Sequence, residues 1–475
     1  MVVPDEVRNL VGGKSAPASG GEWIEKRRPA DGTVLCRVAR SGREDVTAAV
    51  SAARAAQPGW AELTPVARGD VLRELALLLR ERREEASALV AEETGKPLEL
   101  ARGETDAAIE MGLFVAGEGR RAYGRTTTAS MAHRTVLTVR QPLGVAALIM
   151  SFNTPLPNVA WKAFPALLCG NAAVVKPSEH TPVSAALFGE LAQEAGVPDG
   201  VLNVVHGLGD EAGGPLVEHS DVDLVSFTGS ARTGRWINET AGRRLAKVCL
   251  ELGGKNARVV CDDADLERAA EWALASAFSN AGQRCASASR LVVFDRVYED
   301  VRSRLLAGVA ALEVQPVISE ESRIRIAGAV ERARAEGARV LVGGETLAGP
   351  GWHYPPTVLE DVPPDAEISC EELFGPVTIL YRVGGLDEAI ELVNDSPYGL
   401  TAAIHTSSVH RAMRFAERVQ AGVVVVNAGT HGSEPHMGFG GVKQSGTGWR
   451  EAGVEALDVY SEWKVVNVVH DPARA

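Results

Sequence analysis

One pattern constrains the fold more than any other: short apolar runs alternate with helical stretches across residues 143–443. The run "GVAALIM" precedes the helical "WKAFPALLCG", and the strand-like "AAVVKPS" precedes "VSAALFGELAQEAG", a helix closed by glycine. "VLNVVHG", "VDLVSFTGS" and "LAKVCLELGG" carry the series to residue 253. Short apolar runs with helices between them predict parallel strands buried on both faces, an α/β sheet covered by helices. From residue 254 the alternation resumes with "ARVVC", "LERAAEWALASAFSNAG", "RLVVF", "YEDVRSRLLAGVAAL", "ARVLVGG", "PVTILYRV" and "LDEAIELVND". A second α/β unit is expected there. With 475 residues, 45% of them apolar, the chain can fill more than one core.

Two regions fall outside this alternation. Residues 44–120 carry apolar positions at helical spacing and stop at Gly95, Lys96 and Pro97 before continuing, so helices are expected. The segments "HRTVLTVRQP" (133–142) and "LDVYSEWKVVNVVH" (457–470) read as strands far apart in sequence. They suit a flap that pairs with a neighbouring subunit's sheet and covers an open edge.

The charge balance narrows the partners. There are 49 Lys+Arg against 62 Asp+Glu, a net charge of −13, which argues against nucleic acid or an anionic membrane surface. Six cysteines are spread without a C-x-x-C pair or zinc-ligand spacing, which points to free thiols in a reducing cytoplasm and to no metal centre. The opening "MVVPDEVRNL" lacks the pattern of a signal peptide, and no run is long and apolar enough to span a membrane.

Five short motifs carry chemistry. In "FSNAGQRCAS" small and polar residues surround Cys285, where a packing cysteine would sit among branched aliphatics; a nucleophile needs that space. In "LELGGKN" Glu251 lies between leucines ahead of two glycines, a place carboxylates avoid unless they act as a base of raised pKa or cap a turn. In "SFNTPLPNVAWK" Asn153 follows a strand, either as an oxyanion donor or as a turn-former before Pro155. In "VVKPSE" Lys176 and Glu179 stand just past a strand, where parallel sheets bind ligands, either as a surface lysine and a helix-start glutamate or as ribose contacts, Glu179 then suiting a 2′-hydroxyl better than a 2′-phosphate. In "VSFTGSARTG" a strand, a turn at Gly229 and a helix opening at Ser230 form either an ordinary strand–turn–helix or a site whose unpaired N–H groups receive an anion.

Taken in order, and followed by "EELFGPV", "PYGLTAA" and "FGGVKQSG", these motifs resemble the NAD(P)-dependent aldehyde dehydrogenase superfamily over nearly the whole chain. The resemblance implies a Rossmann-like cofactor domain (1–123 and 143–253), an α/β catalytic domain (254–443) and a small β oligomerisation flap (124–142 and 457–475). It implies a homodimer or homotetramer. It makes Cys285 the nucleophile, Asn153 and the Cys285 backbone N–H the oxyanion donors, Glu251 the base for water, and Lys162 part of a proton path. Lys176, Ser178, Glu179, Gly229, Ser230, Glu372 and Phe374 match the contacts to NAD, with NADP possible in principle. Trp161, Arg284, His431 and Phe439 match the substrate pocket.

Few wall positions are large and apolar: Pro157, Asn158, Arg284, Ala286, Gly429, His431, Gly432 and His436 stand there. A polar substrate follows, such as an anionic semialdehyde facing Arg284 and a histidine. The stretch "AALEVQPVISEESR" (310–323) is shorter than is usual in the family and is expected to be a trimmed surface loop. Two other readings compete. Acyl transfer to coenzyme A is disfavoured by Glu251, and a non-catalytic scaffold is disfavoured by the joint presence of Cys285, Glu251 and Asn153.

Overall fold

The computed structural model describes residues 3–474; residues 1–2 and 475, at the outer limits of the expected cofactor and flap segments, lie outside it. Two seven-stranded sheets dominate. In the first, five parallel strands run Lys247–Leu252, Leu224–Gly229, Val145–Ile149, Ala172–Lys176 and Leu202–Val204 across the sheet. In chain order this is the 3-2-1-4-5 arrangement of a doubly wound half. Every residue of Val145–Ile149 and Ala172–Lys176 is buried, which is why those stretches lack polar alternation. Helices Pro155–Leu168 and Pro182–Glu194 connect the strands.

The sequence gives no cue to what extends this sheet. Asn9–Val11 joins Leu202–Val204 antiparallel, and Lys14–Ala16 follows it. Glu6–Val7, Trp23–Arg27 and Val34–Ala39 form a separate three-stranded sheet. The two- and three-residue strands among these are too short to show a period of two, and Trp23–Arg27 and Val34–Ala39 do not alternate strictly. The helices Arg43–Glu62, Pro65–Glu81, Arg83–Thr94 and Leu98–Glu118 then occupy the region where helical spacing is seen.

The second sheet places Arg339–Val342, Thr357–Glu360, Val377–Val383, Ala288–Phe294, Asn256–Val260, Thr401–His405 and Val423–Val426 side by side. Only the Arg339–Val342 pairing is antiparallel. The strand Lys247–Leu252 passes to Asn256–Val260 through Gly253, Gly254 and Lys255 alone. The carboxyl edge of the first sheet therefore faces the amino edge of the second, and loops from both edges meet in the crevice between them.

The two orphan segments pair with each other within the chain, from Ser461 opposite Pro142 to Val469 opposite Arg134, with Arg125–Thr127 outside. Residues Ala456–Val459 form a short helix, so the final strand begins at Ser461 and not at 457. The 310–323 stretch is also not all loop. Ser319 caps a helix, Glu320–Ala335, by accepting from the Ser322 N–H, which puts Ser322 and Arg325 in its first turns.

Candidate active site

Cys285 sits on the turn between helix Leu266–Phe278 and strand Ala288–Phe294. Three successive left-handed residues shape that turn: Asn280 (φ 56°), Ala281 (φ 52°) and Gly282 (φ 66°). A Cβ on Gly282 would lie 2.2 Å from the Gly375 carbonyl oxygen, so only glycine fits. For alanine this backbone is costly, and side chains hold it in place. Asn280 Nδ2 donates to the carbonyls of Gln283 (3.2 Å) and Asn153 (3.1 Å), and Gln283 Oε1 accepts from the Ile318 N–H (2.9 Å). Asn256 Nδ2 donates to the carbonyls of Cys285 (2.7 Å) and Ser287 (2.9 Å). Burial pushes the Cys285 thiol up to about 12, and the Glu372 and Glu251 carboxylates act in the same direction against Arg284 and the Ala286 N–H.

Asn153 follows strand Val145–Ile149 and is 7% exposed. Its carbonyl accepts from Lys96 Nζ (2.8 Å) as well as from Asn280, tying this loop to the cysteine turn. Asn158 Nδ2 donates to its Oδ1 at 3.3 Å. That leaves the Asn153 amide nitrogen free to donate elsewhere.

Glu251 ends strand Lys247–Leu252, 6% exposed, and neither carboxylate oxygen has a hydrogen-bond partner among the described residues. Burial holds its carboxyl well above the ordinary value, and Glu451 raises it further while Lys162 and Arg450 oppose. Behind it lies a closed polar network. Lys162 Nζ, fully buried, donates to Glu451 Oε1 (2.6 Å) and Ser226 Oγ (2.8 Å), and Ser226 donates to Glu451 (2.7 Å). The Tyr460 hydroxyl donates to Ser226 at 3.1 Å.

The remaining residues line the carboxyl edge of the first sheet. Lys176 is 3% exposed at the end of its strand, 3.6 Å from Glu179. Burial lowers the lysine, while for Glu179 the pull of Lys176 and His180 outweighs burial and lowers the carboxyl. The Ser178 hydroxyl accepts from the His180 N–H (3.2 Å), and so shapes the turn. Ser230 caps helix Ala231–Gly242 by accepting from the Thr233 N–H, directly after Gly229 at the switch point of the sheet. Across the crevice the Gly254 N–H donates to Glu372 Oε1 (3.0 Å), and a Cβ on Gly253 would strike that carboxylate at 1.9 Å. Phe374 (φ 51°) meets Phe152 edge-on at 5.5 Å. A dinucleotide fits these groups. A nearly buried lysine has one carboxylate beside it, a helix N-terminus points into the switch-point crevice, and a second carboxylate waits opposite.

Trp161 and Phe439 meet edge-on at 5.6 Å. Arg284 Nη2 lies 3.7 Å from Glu104, the carboxylate that Lys96 also binds at 2.7 Å, so two cations share one anion. The Thr430 hydroxyl, one residue before His431, donates to the Ala286 carbonyl (2.6 Å) beside the cysteine. Sequence reasoning misses Glu451, Ser226, Asn256 and Asn280. Glu451 stands far from Lys162 along the chain in an unremarkable context, Ser226 lies inside the quoted "VSFTGSARTG" with nothing to link it to Lys162, and only the fold makes them neighbours. The asparagines lie inside the quoted motifs, where their side-chain acceptors cannot be read.

Comparison with known proteins agrees with this geometry. The aldehyde dehydrogenase family model matches residues 16–466. A mitochondrial aldehyde dehydrogenase of Leishmania tarentolae is 39% identical, covering 96% of this chain and 94% of its own. The NADP(+) succinate-semialdehyde dehydrogenase of Escherichia coli is 38% identical, covering 96% of each. The crystal structure of an NAD-dependent aldehyde dehydrogenase from Sinorhizobium meliloti superposes with a TM-score of 0.95 at 36% identity, covering 98% of this chain and 95% of that one. The chain belongs to the aldehyde dehydrogenase family and is an NAD(P)-dependent oxidoreductase acting on aldehydes.

Proposed function

We propose that the protein oxidises a small carboxylate-bearing aldehyde to the acid, with Cys285 as nucleophile and Glu251 as the base for hydrolysis. Cys285 Sγ adds to the aldehyde carbon, and its proton leaves to solvent. The Asn153 amide and the Cys285 N–H hold the oxyanion. NAD or NADP, when bound, supplies the hydride acceptor that turns the adduct into a thioester. Lys176, Glu179, Gly229 and Ser230 would hold the adenosine and pyrophosphate side, and Glu372 and Phe374 the nicotinamide side. Glu251 then takes a proton from water as the water attacks the thioester, releasing the acid and the thiolate. Glu251 then releases that proton to solvent, and the buried Lys162 charge, held by Glu451 and Ser226, favours the ionised carboxylate that results.

The observation that carries this reading is Glu251: a buried carboxylate whose two oxygens have no protein partner is left needing a donor, which a water supplies. It also favours hydrolysis over transfer to coenzyme A. The substrate class rests on Arg284 and Lys96 outnumbering Glu104, and on the sparse apolar wall. The Escherichia coli relative named for succinate semialdehyde supports it. Glu179 favours NAD over NADP by repelling a 2′-phosphate. The half-exposed valines and Trp463 of strand Ser461–Val469 support a homodimer or dimer of dimers, and the unpaired thiols support a cytoplasmic enzyme. Comparing kcat/KM for succinate semialdehyde and hexanal tests the substrate class: better turnover of hexanal would overturn it.

A further inference from the structure

Arg258 stands in the middle of strand Asn256–Val260, in which every residue is buried, and is itself 0% exposed. A central parallel strand is a poor place for a guanidinium. No carboxylate pairs with it among the described residues. Its Nη1 donates to the Ala428 carbonyl at 2.8 Å, its Nη2 faces His405 Nε2, and its Nε has no partner. A buried cation with neutral acceptors alone is expensive.

What Arg258 grips is the start of the segment read above as part of the substrate pocket. Ala428 opens the segment that carries His431. Further along, a Cβ on Gly429 would lie 2.9 Å from Trp272, the Thr430 N–H donates to Ser276 Oγ (3.2 Å), and its hydroxyl donates to Ala286 beside Cys285. The segment is thus pinned from behind by Arg258 and in front by the nucleophile's turn. Burial first, and then the Arg284 and Arg258 charges, push His431 down to about 4, so the imidazole is neutral and the two guanidiniums supply the positive charge.

We propose that Arg258 is a positioning and specificity residue, which sets the Ala428–His431 wall and selects for a carboxylate on the aldehyde. The proposal rests on the carboxylate-bearing substrate read above. Arg258 is fully buried behind that wall, so its charge favours a substrate carboxylate through space and not by direct contact.

The test compares succinate semialdehyde with butanal, a neutral aldehyde of equal length, in wild type and Arg258→Met. The expected result is a rise of about tenfold in KM for succinate semialdehyde with kcat little changed, and a fall of about tenfold in the ratio of the two kcat/KM values. If Arg258→Met does not fold, Arg258→Lys carries the test. It keeps the charge but cannot span both acceptors, and a fall of about threefold or more in the ratio is expected. An unchanged ratio in the folded variant, with wild type preferring succinate semialdehyde, overturns the role of Arg258 alone. A wild type that prefers butanal overturns the substrate reading and this proposal with it.

Discussion

Replacing Glu251 by glutamine removes the base and keeps the shape. Glutamine cannot accept a proton from water, and the loss of a positioned general base costs about 10²–10⁴-fold in rate. Neither oxygen of Glu251 is engaged by another side chain, so the change breaks no existing hydrogen bond. The slowed step is hydrolysis, after the hydride has left. A rapid-mixing experiment on Glu251→Gln with saturating aldehyde and NAD should therefore show a stoichiometric burst of NADH followed by a slow steady state. The same substitution has a pH-dependent effect on stability. Burial and Glu451 hold the Glu251 carboxyl above its ordinary value, so the folded chain binds that proton more tightly than the unfolded chain. Its stabilising contribution is full below the unfolded value of about 4.3 and is lost as pH rises toward the folded value. Glutamine escapes that loss. The variant should match wild type below about pH 4 and gain on it by about 1.4 kcal/mol per pH unit from there up to the folded value. A variant with no burst, or with a steady-state rate within about twofold of wild type, would refute the reasoning.

Other consequences follow from the same geometry. With the Cys285 thiol pushed up to about 12, alkylation of the free enzyme by iodoacetamide should rise with pH without a plateau through the mildly alkaline range, and Glu372→Gln should speed it by removing a negative charge. Glu451→Gln leaves the Lys162 ammonium buried without its carboxylate, and thermal or urea unfolding should show a loss of about 3–5 kcal/mol. Glu179→Ala should raise kcat/KM for NADP relative to NAD, measured with one aldehyde; an unchanged ratio would show that Glu179 does not select the cofactor.

The alternating sheets were legible because parallel strands buried on both faces read as uninterrupted apolar runs, as Ala172–Lys176 does. The amino-terminal strands were not, since Asn9–Val11 and Lys14–Ala16 are three residues each and take their identity from the neighbours they pair with. The flap segments were visible as Val- and Thr-rich runs, but that they pair with each other is a long-range fact that neither run encodes. At the site, Cys285 and Glu251 announced themselves by being out of character with their surroundings. Glu451 did not, because a glutamate after "GTGWR" looks solvated until Lys162 is seen beside it. The position of Arg284 before the nucleophile suggests that it faces the substrate, but only the fold shows that Glu104 draws on its charge.

The most direct test of the central claim is NADH formation by wild type and by Cys285→Ala, each shown to bind NAD, across a panel of small aldehydes that includes succinate semialdehyde. The account predicts turnover by wild type and none above background by the variant, because without the thiol no adduct forms for hydride to leave. Turnover that survives the substitution would contradict it and leave Cys285 as a packing residue.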